Sequence, residues 1–275
     1  MTRKFRALAA LVATAAALAF GALPASAEST LEKIKRTGKF QAGVRFDFPP
    51  VGSIDAAGKP EGFGPDIARI IGEKLNVPVE FIQVTSKTRI PMLENGSIDA
   101  DIGPTTPTVK RDEVVDFTIP YAWDGVTIVV RKGDSLNVKD YGPPKKLATA
   151  QGSFIIDLIK EQLPNAQLVL FQEYPDAIVA LQNRKVDAVG VNRHNGVAFV
   201  KKIPDLALGT DFFVDPWAIG LRENDSDWRD FLNLTLQELW QQGRFQQIYA
   251  KHFGEEPKFK MWSEYRLQPG VGEKN

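Results

Sequence analysis

The sequence predicts an α/β protein of two lobes, each built on a doubly wound sheet, with two strands that cross between the lobes. Strand and helix patterns alternate along residues 40–103 and again along residues 147–191. This alternation is typical of parallel sheets covered by helices. Each half is followed by an apolar extended run, at 125–131 and at 215–222. We expect these two runs to be the crossing strands.

These patterns divide the chain into five parts. We expect a signal peptide at 1–27, the first part of lobe 1 at 28–130, lobe 2 at 131–213, the return of lobe 1 at 214–258, and a C-terminal tail at 259–275.

The first 27 residues have the pattern of a secretory signal. Arg3, Lys4 and Arg6 precede an apolar run, and residues 25–27 (Ala-Ser-Ala) form a small-residue cleavage site. The alternative is an uncleaved membrane anchor, but the run is largely alanine and barely reaches spanning length. The chain has no cysteine, so neither a lipid attachment point nor a disulfide is expected. The mature protein should begin at Glu28 and lie free in the periplasm.

The charge balance argues against nucleic acid as a partner. Without the three basic residues of the signal, 31 Lys and Arg stand against 34 Asp and Glu, a formal charge of −3. Nucleic-acid affinity depends on phosphate contacts and therefore needs a basic surface.

Lobe 1 begins with a strand, helix, strand, helix, strand pattern. A helix that opens at Pro65 places Ile67, Ile71 and Leu75 on one face, and Gly96 ends the next helix. Residues 46–50 should form a rigid aromatic loop that lines a cleft, because its two prolines fix φ. The lobe 1 strands are expected at 40–45, 79–84 and 98–103, and the second helix at 89–95.

Lobe 2 repeats the pattern, and the chain then ends in two helices. Strands are expected at 147–150, 167–171, 186–191 and 206–208, and helices at 154–163, 177–183, 227–242 and 245–253.

An internal echo supports two related lobes. Residues 93–100 (LENGSIDA) match residues 181–188 (LQNRKVDA) at an offset of 88 positions. The alternative is chance similarity between two helix-to-strand turns. The echo predicts that Pro104 and Asn192 hold equivalent strand ends, which face each other across a cleft.

Residues 85–111 outline an anion site. This stretch places Ser86, Arg89, Thr105, Thr106 and Arg111 where a helix begins or a strand ends. In open α/β sheets, ligands bind at the carboxyl ends of the strands. An arginine fork and hydroxyl groups can hold a carboxylate. From spacing alone, Arg111 could equally be a surface residue in the charged run 110–113.

Catalytic groups are scarce. With no cysteine and only His194 and His252, the chain offers few nucleophile and base combinations. No group of residues has the spacing of metal ligands, and the glycines form no phosphate-binding motif. We expect a binding protein rather than an enzyme, with no cofactor and no metal.

Seven segments resemble the family-3 solute-binding proteins of polar amino-acid ABC transporters. They span residues 43–254. The resemblance implies a periplasmic-binding-protein-like type II fold that closes on a small solute and passes it to a permease in the inner membrane. The segments are GVRFDFPP (43–50), GKPEGFGPDIARIIGEKL (58–75), RIPMLENGSIDADIGPTTPTVKRDEVVDFTIPY (89–121), VVRKGD (129–134), LQNRKVDAV (181–189), AIGLRENDSDW (218–228) and FQQIYAKHFG (245–254).

The resemblance also implies roles for individual residues. Arg111 matches the arginine that holds the ligand α-carboxylate, and Thr106 matches its hydroxyl partner. Gly103 and Pro104 match the strand end along which the ligand backbone lies. Phe48 matches the aromatic that covers the ligand. Gly152 and Ser153 match a turn in lobe 2, although Phe154 stands where a second hydroxyl is usual.

The ligand class follows less directly. The run TSKTRIP (85–91) is similar to the acidic-amino-acid branch, in which Ser86 and Arg89 would hold a side-chain carboxylate, with Arg45 as a further match. Asn192 departs from the family, which has an aspartate there for the ligand ammonium. The ligand is therefore either a dicarboxylate or oxo acid without the amine, or an acidic amino acid whose ammonium is balanced by Asp47 or Asp215.

We expect a monomeric periplasmic solute-binding component of an ABC importer, with acidic amino acids favoured. A cyclohexadienyl-dehydratase-like lyase is the alternative from another class, because such lyases resemble this family. A receptor sensor domain is a third possibility, weakened because no spanning segment follows residue 28.

Overall fold

The computed structural model describes residues 28–258, in which two lobes are each built around their own sheet. The predicted signal peptide and the predicted tail lie outside the described residues. Lobe 1 contains α1 (Thr30–Thr37), β1 (Phe40–Val44), β2 (Asp47–Phe48), β3 (Gly52–Ile54), β4 (Pro60–Glu61), α2 (Phe63–Leu75), β5 (Val79–Gln83), α3 (Arg89–Glu94), β6 (Ala100–Asp101), α4 (Val109–Asp112) and β7 (Val115–Phe117).

Lobe 2 follows, and the chain then returns to lobe 1. Lobe 2 contains β8 (Ala122–Arg131), a 3₁₀ turn (Val138–Tyr141), β9 (Lys146–Ala150), α5 (Ile155–Gln162), β10 (Gln167–Phe171), α6 (Tyr174–Gln182), β11 (Ala188–Asn192), α7 (Arg193–Lys202), β12 (Leu206–Leu208) and β13 (Phe213–Trp217). Lobe 1 is completed by β14 (Gly220–Arg222), α8 (Ser226–Gln241) and α9 (Arg244–Phe253).

The two sheets share one topology. The first has the order β5-β1-β6-β14-β7, and the second has β10-β9-β11-β8-β12 with β13 paired to β8. In each, three parallel strands are followed by an antiparallel one. The two similar segments, 93–100 and 181–188, occupy equivalent positions in the two sheets, since Ala100 begins β6 and Ala188 begins β11. The predicted α/β two-lobed fold is confirmed.

The crossings between the lobes are shorter than the sequence suggested. Strand β8 pairs with lobe 2 strands along its length, and β13 pairs with β8 from Phe213 to Trp217. The chain therefore crosses at 118–121 and 218–219, not along 125–131 and 215–222. The two crossing segments bond to each other, Thr118 N–H to Ile219 O at 3.0 Å and Tyr121 N–H to Trp217 O at 2.8 Å. An apolar run can belong to either sheet, and only the strand with which it pairs decides to which lobe it belongs.

Three local features were not predicted. Helix α1 begins at a capping box in which Ser29 and Glu32 bond reciprocally, a signal that the S-x-x-E spacing carries. Strands β2, β3 and β4 form a small antiparallel sheet. Helices α2 and α6 begin at Phe63 and Tyr174, two and three residues earlier than expected.

An aromatic cluster supports the strand end at residues 103–106. Phe63 stacks on Tyr121 at 5.8 Å between ring centroids and meets Phe245 and Phe253 edge-on. The Tyr121 hydroxyl donates to the Gly103 carbonyl at 2.8 Å. Burial of such rings contributes strongly to core stability, so the loop after β6 rests on a fixed base. None of the helices within 28–258 is long and apolar enough to span a bilayer.

Candidate functional site

A narrow cavity lies between the lobes. Nine of the eleven predicted site residues line it; the other two, Gly103 and Arg111, lie beside it. Its lining consists of Arg45, Phe48, Ser86, Arg89, Pro104 and Thr106 from lobe 1, and Ser153, Phe154, Ile155, Tyr174, Asn192 and Asp215 from lobe 2. Pro104 and Asn192 therefore do face one cavity from opposite lobes.

One end of the cavity contains a buried ion pair. Arg45 donates from Nε and Nη2 to the two carboxylate oxygens of Asp47, both at 2.7 Å, and from Nη1 to Ser86 Oγ at 2.9 Å. The guanidinium also lies over the rings of Phe48 and Tyr174. Burial by itself lowers the pKa of Arg45, but the charge and hydrogen bonds of Asp47 outweigh it and the pKa is raised. Both carboxylate oxygens of Asp47 are therefore occupied by hydrogen bonds from Arg45.

Arg89 is the least satisfied cation of the site. Its Nη1 donates to the Pro104 carbonyl at 3.0 Å and to Thr105 Oγ1 at 2.7 Å, and Thr105 in turn donates to Asp101. Arg89 Nε and Asp101 Oδ1 are buried without a hydrogen-bond partner. Burial, followed by the nearby Arg111 charge, lowers the pKa of Arg89 to about 10. The surroundings of Arg89 therefore favour an anionic group of a ligand, because a buried charge without a partner is costly.

A buried carboxylate, that of Asp215, lies beside Asn192. Asn192 Nδ2 donates to Asp215 Oδ2 at 2.8 Å, and Thr106 Oγ1 donates to Asp215 Oδ1 at 2.7 Å. The Trp217 indole N–H also donates to Asp215 Oδ2, at 3.1 Å. Burial raises the pKa of Asp215, although these three hydrogen bonds and the Arg89 charge oppose the rise. Of the two acids expected to balance an ammonium, Asp215 is the one placed beside Asn192.

Arg111 bridges the lobes. Its Nη1 donates to the Thr106 carbonyl at 2.6 Å, and its Nη2 donates to the Gly152 carbonyl of lobe 2 at 3.0 Å. Burial lowers the pKa of Arg111, and Asp101 and Asp215 oppose this. The structure therefore does not place Arg111 as a free surface residue.

The lobe 2 turn at 152–153 packs closely on lobe 1. Gly152 has φ +72°, and a Cβ there would meet the Ser86 carbonyl at 2.6 Å and Lys87 Cα at 2.8 Å. Ser153 Oγ lies 3.2 Å from the Tyr174 hydroxyl and accepts from the Ile155 N–H. The lobes are thus in contact over the cavity.

Tyr174, Phe154 and Ile155 complete the cavity and were not among the predicted site residues. Tyr174 is 1% exposed and meets Phe48 edge-on at 5.4 Å. It begins α6 just beyond the carboxyl end of β10, so the strand-end rule applied to lobe 2 would have indicated it.

A larger cavity, of about 400 Å³, lies near the crossings. It is lined by Asp124, His194, Tyr249, Glu255 and Lys258, among others. His194 Nδ1 lies 2.8 Å from Asp124 Oδ1, and Lys258 pairs with Glu255 at 2.7 Å. Because these charges already have partners, the smaller cavity is the better candidate for a charged ligand.

Two lobes that meet over a buried, charged cavity define a two-lobed solute-binding protein. Residues 40–255 match the bacterial extracellular solute-binding proteins, family 3. The match covers most of the chain, and the chain belongs to this family.

Three curated relatives show the range within the family. The glutamine-binding protein of Geobacillus stearothermophilus is 37% identical over 198 residues, covering 70% of this chain and 76% of that protein. The ABC transporter glutamine-binding protein GlnH of Bacillus subtilis is 33% identical, and the match covers 84% of this chain and 87% of that protein. The glutamate/aspartate import solute-binding protein of Escherichia coli is 27% identical, covering 90% and 86%. Of these three, the acidic-branch protein is the most distant.

Two solved structures share the fold. An ancestral arginine-binding protein bound to glutamine matches with a TM-score of 0.75 and 33% identity, covering 79% of this chain and 99% of that chain. The ancestral amino-acid-binding protein AncCDT-1, a precursor of cyclohexadienyl dehydratase, matches with a TM-score of 0.77 and 28% identity, covering 82% and 100%.

Proposed function

We propose that the protein binds an α-amino acid with an uncharged polar side chain, glutamine being the reference compound, as the solute-binding component of an ABC importer. One observation carries this proposal. The three arginines of the site (Arg45, Arg89 and Arg111) are matched by three aspartates (Asp47, Asp101 and Asp215). A site whose own charges balance favours a solute of zero net charge, since a surplus ligand charge would be buried without a partner.

The α-carboxylate is assigned to the Arg89 and Arg111 end of the site. Arg89 Nε is buried without a partner, and the nearby Arg111 charge contributes to the lowered pKa of Arg89. A carboxylate between them would relieve both effects. Charge-assisted hydrogen bonds of this kind are the strong ones in proteins.

The α-ammonium is assigned to Asp215. Its carboxylate is 2% exposed, lines the cavity and accepts hydrogen bonds from two other lining residues, Thr106 and Asn192. An ammonium beside it would favour its ionised form, which burial disfavours. This assignment makes a dicarboxylate or oxo acid without an amine the weaker alternative.

The acidic side chain expected from TSKTRIP receives less support. Arg45, which would help to hold a second carboxylate, already binds Asp47 through two donors. The glutamine-binding relatives are also more similar to this chain, at 33% and 37%, than the glutamate/aspartate relative at 27%.

Calorimetry with glutamine, glutamate, aspartate, arginine, succinate and 2-oxoglutarate tests the proposal. We expect glutamine to bind more tightly than either acidic amino acid, and succinate and 2-oxoglutarate not to compete. Tighter binding of succinate or 2-oxoglutarate would overturn the ammonium assignment. A preference for glutamate would restore the acidic expectation.

Incubation with prephenate tests the alternative that the protein is a cyclohexadienyl-dehydratase-like lyase. The similarity to AncCDT-1 is the reason to test it. We expect prephenate to remain intact during long incubation with the protein. Conversion that scales with protein concentration and is inhibited by glutamine would favour the lyase.

Transport and location complete the proposal. We infer export through the predicted signal at 1–27, hinge closure of the lobes on the solute, and delivery by a monomer to a membrane permease. The mass of the protein from a periplasmic fraction should correspond to a chain that begins at Glu28. A full-length mass would contradict the signal peptide.

A further inference from the structure

The pair formed by Arg45 and Asp47 is positioned asymmetrically. Arg45 lines the cavity, whereas its partner Asp47 does not. Both side chains are nearly fully buried, 1% and 4% exposed. Asp47 therefore acts on the cavity through the guanidinium that it holds.

This arrangement changes what Arg45 presents to a solute. Its Nε and Nη2 donate hydrogen bonds to Asp47, and its Nη1 donates one to Ser86 Oγ. A bidentate carboxylate satisfies the fork of an arginine and neutralises its charge in a region of low dielectric. Arg45 then offers the cavity the edge of a neutral pair instead of a cation.

We propose that Asp47 is a specificity-determining residue that masks Arg45 and so selects a neutral solute side chain over a carboxylate. The inference rests on the proposed function, because it assumes that an amino acid occupies this cavity. Ser86 connects the pair to the cavity wall, since its hydroxyl accepts from Arg45 and also lines the cavity. The side-chain end of the solute would lie against this corner.

The proposal makes opposite predictions for the two partners. Asp47→Asn keeps the shape and one acceptor oxygen but removes the negative charge, so Arg45 becomes an unmasked cation. We expect the ratio of glutamate to glutamine affinity to rise about tenfold or more, as a unit charge acts over a few ångströms at an effective dielectric of about 20. Arg45→Gln leaves Asp47 unpaired, and the same ratio should fall.

The double variant Arg45→Gln/Asp47→Asn should return the ratio to within about threefold of wild type, because it removes both charges. The matched control is Asp211→Asn, which breaks the exposed pair between Arg193 and Asp211. It should leave the ratio unchanged. Calorimetry provides the affinities, and circular dichroism confirms that each variant is folded.

The outcomes separate the inference from the proposed function. If wild type binds no amino acid, the proposed function fails. If wild type binds glutamine but Asp47→Asn does not raise the ratio, the masking role is wrong. Should Asp47→Asn fail to fold, Arg45→Gln and the double variant still decide, because an unchanged or raised ratio in Arg45→Gln contradicts masking.

Discussion

Asn192 and Asp215 lie side by side in the cavity, with Nδ2 and Oδ2 2.8 Å apart, although 23 residues separate them in the chain. They come from β11 and β13, which pair with the same strand, β8. An amide that is unable to balance an ammonium is thus placed beside a carboxylate that can. The negative charge that Asn192 lacks is present on Asp215 in β13.

Asp215→Asn should remove most amino-acid binding. We expect an affinity loss of about 10- to 100-fold, because a charged hydrogen-bonding partner is typically worth about 1.5–3 kcal/mol. Asp187→Asn is the control, since Asp187 pairs with Arg131 in lobe 2 and does not line the cavity. Equal affinity in Asp215→Asn and wild type would rule out the ammonium role.

The affinity should also depend on pH through Asp215. The pKa of its carboxyl is raised in the free protein, and a bound ammonium favours the ionised form. Affinity should therefore be constant above the raised pKa and fall as the pH drops through it. Calorimetry from neutral to acidic pH measures this, and the slope attributable to Asp215 should be absent from Asp215→Asn. A slope that persists would assign the effect to another group.

Arg111→Lys should weaken binding by about 10- to 100-fold, because an ammonium cannot replace the two donors of the planar fork. Arg131→Lys is the matched control: Arg131 also donates to two backbone carbonyls, Leu181 O and Val186 O, but away from the cavity. It should lower stability without lowering affinity. Comparable affinity losses in both variants would mean that general destabilisation explains the effect.

Gly152→Ala should hinder closure. The new methyl group would clash with the backbone of Ser86 and Lys87, so the closed state and the affinity should both decrease. Gly243→Ala has nearly the same φ, +71°, but open space around the new methyl group. It therefore controls for backbone strain of about 1 kcal/mol. Scattering with saturating glutamine should show a larger radius of gyration for Gly152→Ala than for Gly243→Ala; equal radii would contradict the closure role.

His194 should make stability depend on pH. Its ring packs on Phe253 and lies between Asp124 at 2.8 Å and Glu255 at 3.5 Å, with Tyr249 and the Glu255 partner Lys258 nearby. Burial alone lowers the pKa of His194, but the two carboxylates outweigh it and raise the pKa above 6.5.

A histidine whose pKa is higher in the folded than in the unfolded protein contributes to stability. This contribution is complete when the pH is below the unfolded pKa of about 6.5, and it is lost as the pH rises through the folded pKa. The melting temperature of wild type should therefore exceed that of His194→Gln by most at acidic pH, and this difference should shrink as the pH rises. A constant difference across that range would exclude the titration.

Much of the fold was predictable because periodicity and strand ends are local signals. The 3.6-residue pattern located α2 and α8, and the echo identified the equivalent strands β6 and β11. The assignment of β8 to a lobe failed because register is decided by residues far away in sequence. Asp47 was expected as one of two acids for the ammonium, but it pairs with Arg45 two positions earlier. The family resemblance indicated Arg45, and Asp47 was one of two candidate counter-charges; only side-chain geometry shows which charges pair.

Trp217 should act as an intrinsic fluorescent reporter of solute binding. Its buried indole donates to Asp215, the carboxylate assigned to the ammonium. The emission of an indole responds to the electric field along its ring, and a cation arriving beside Asp215 changes that field. We therefore expect solute binding to shift the intrinsic emission of the protein, so that fluorescence titration measures occupancy of the cavity without an attached dye.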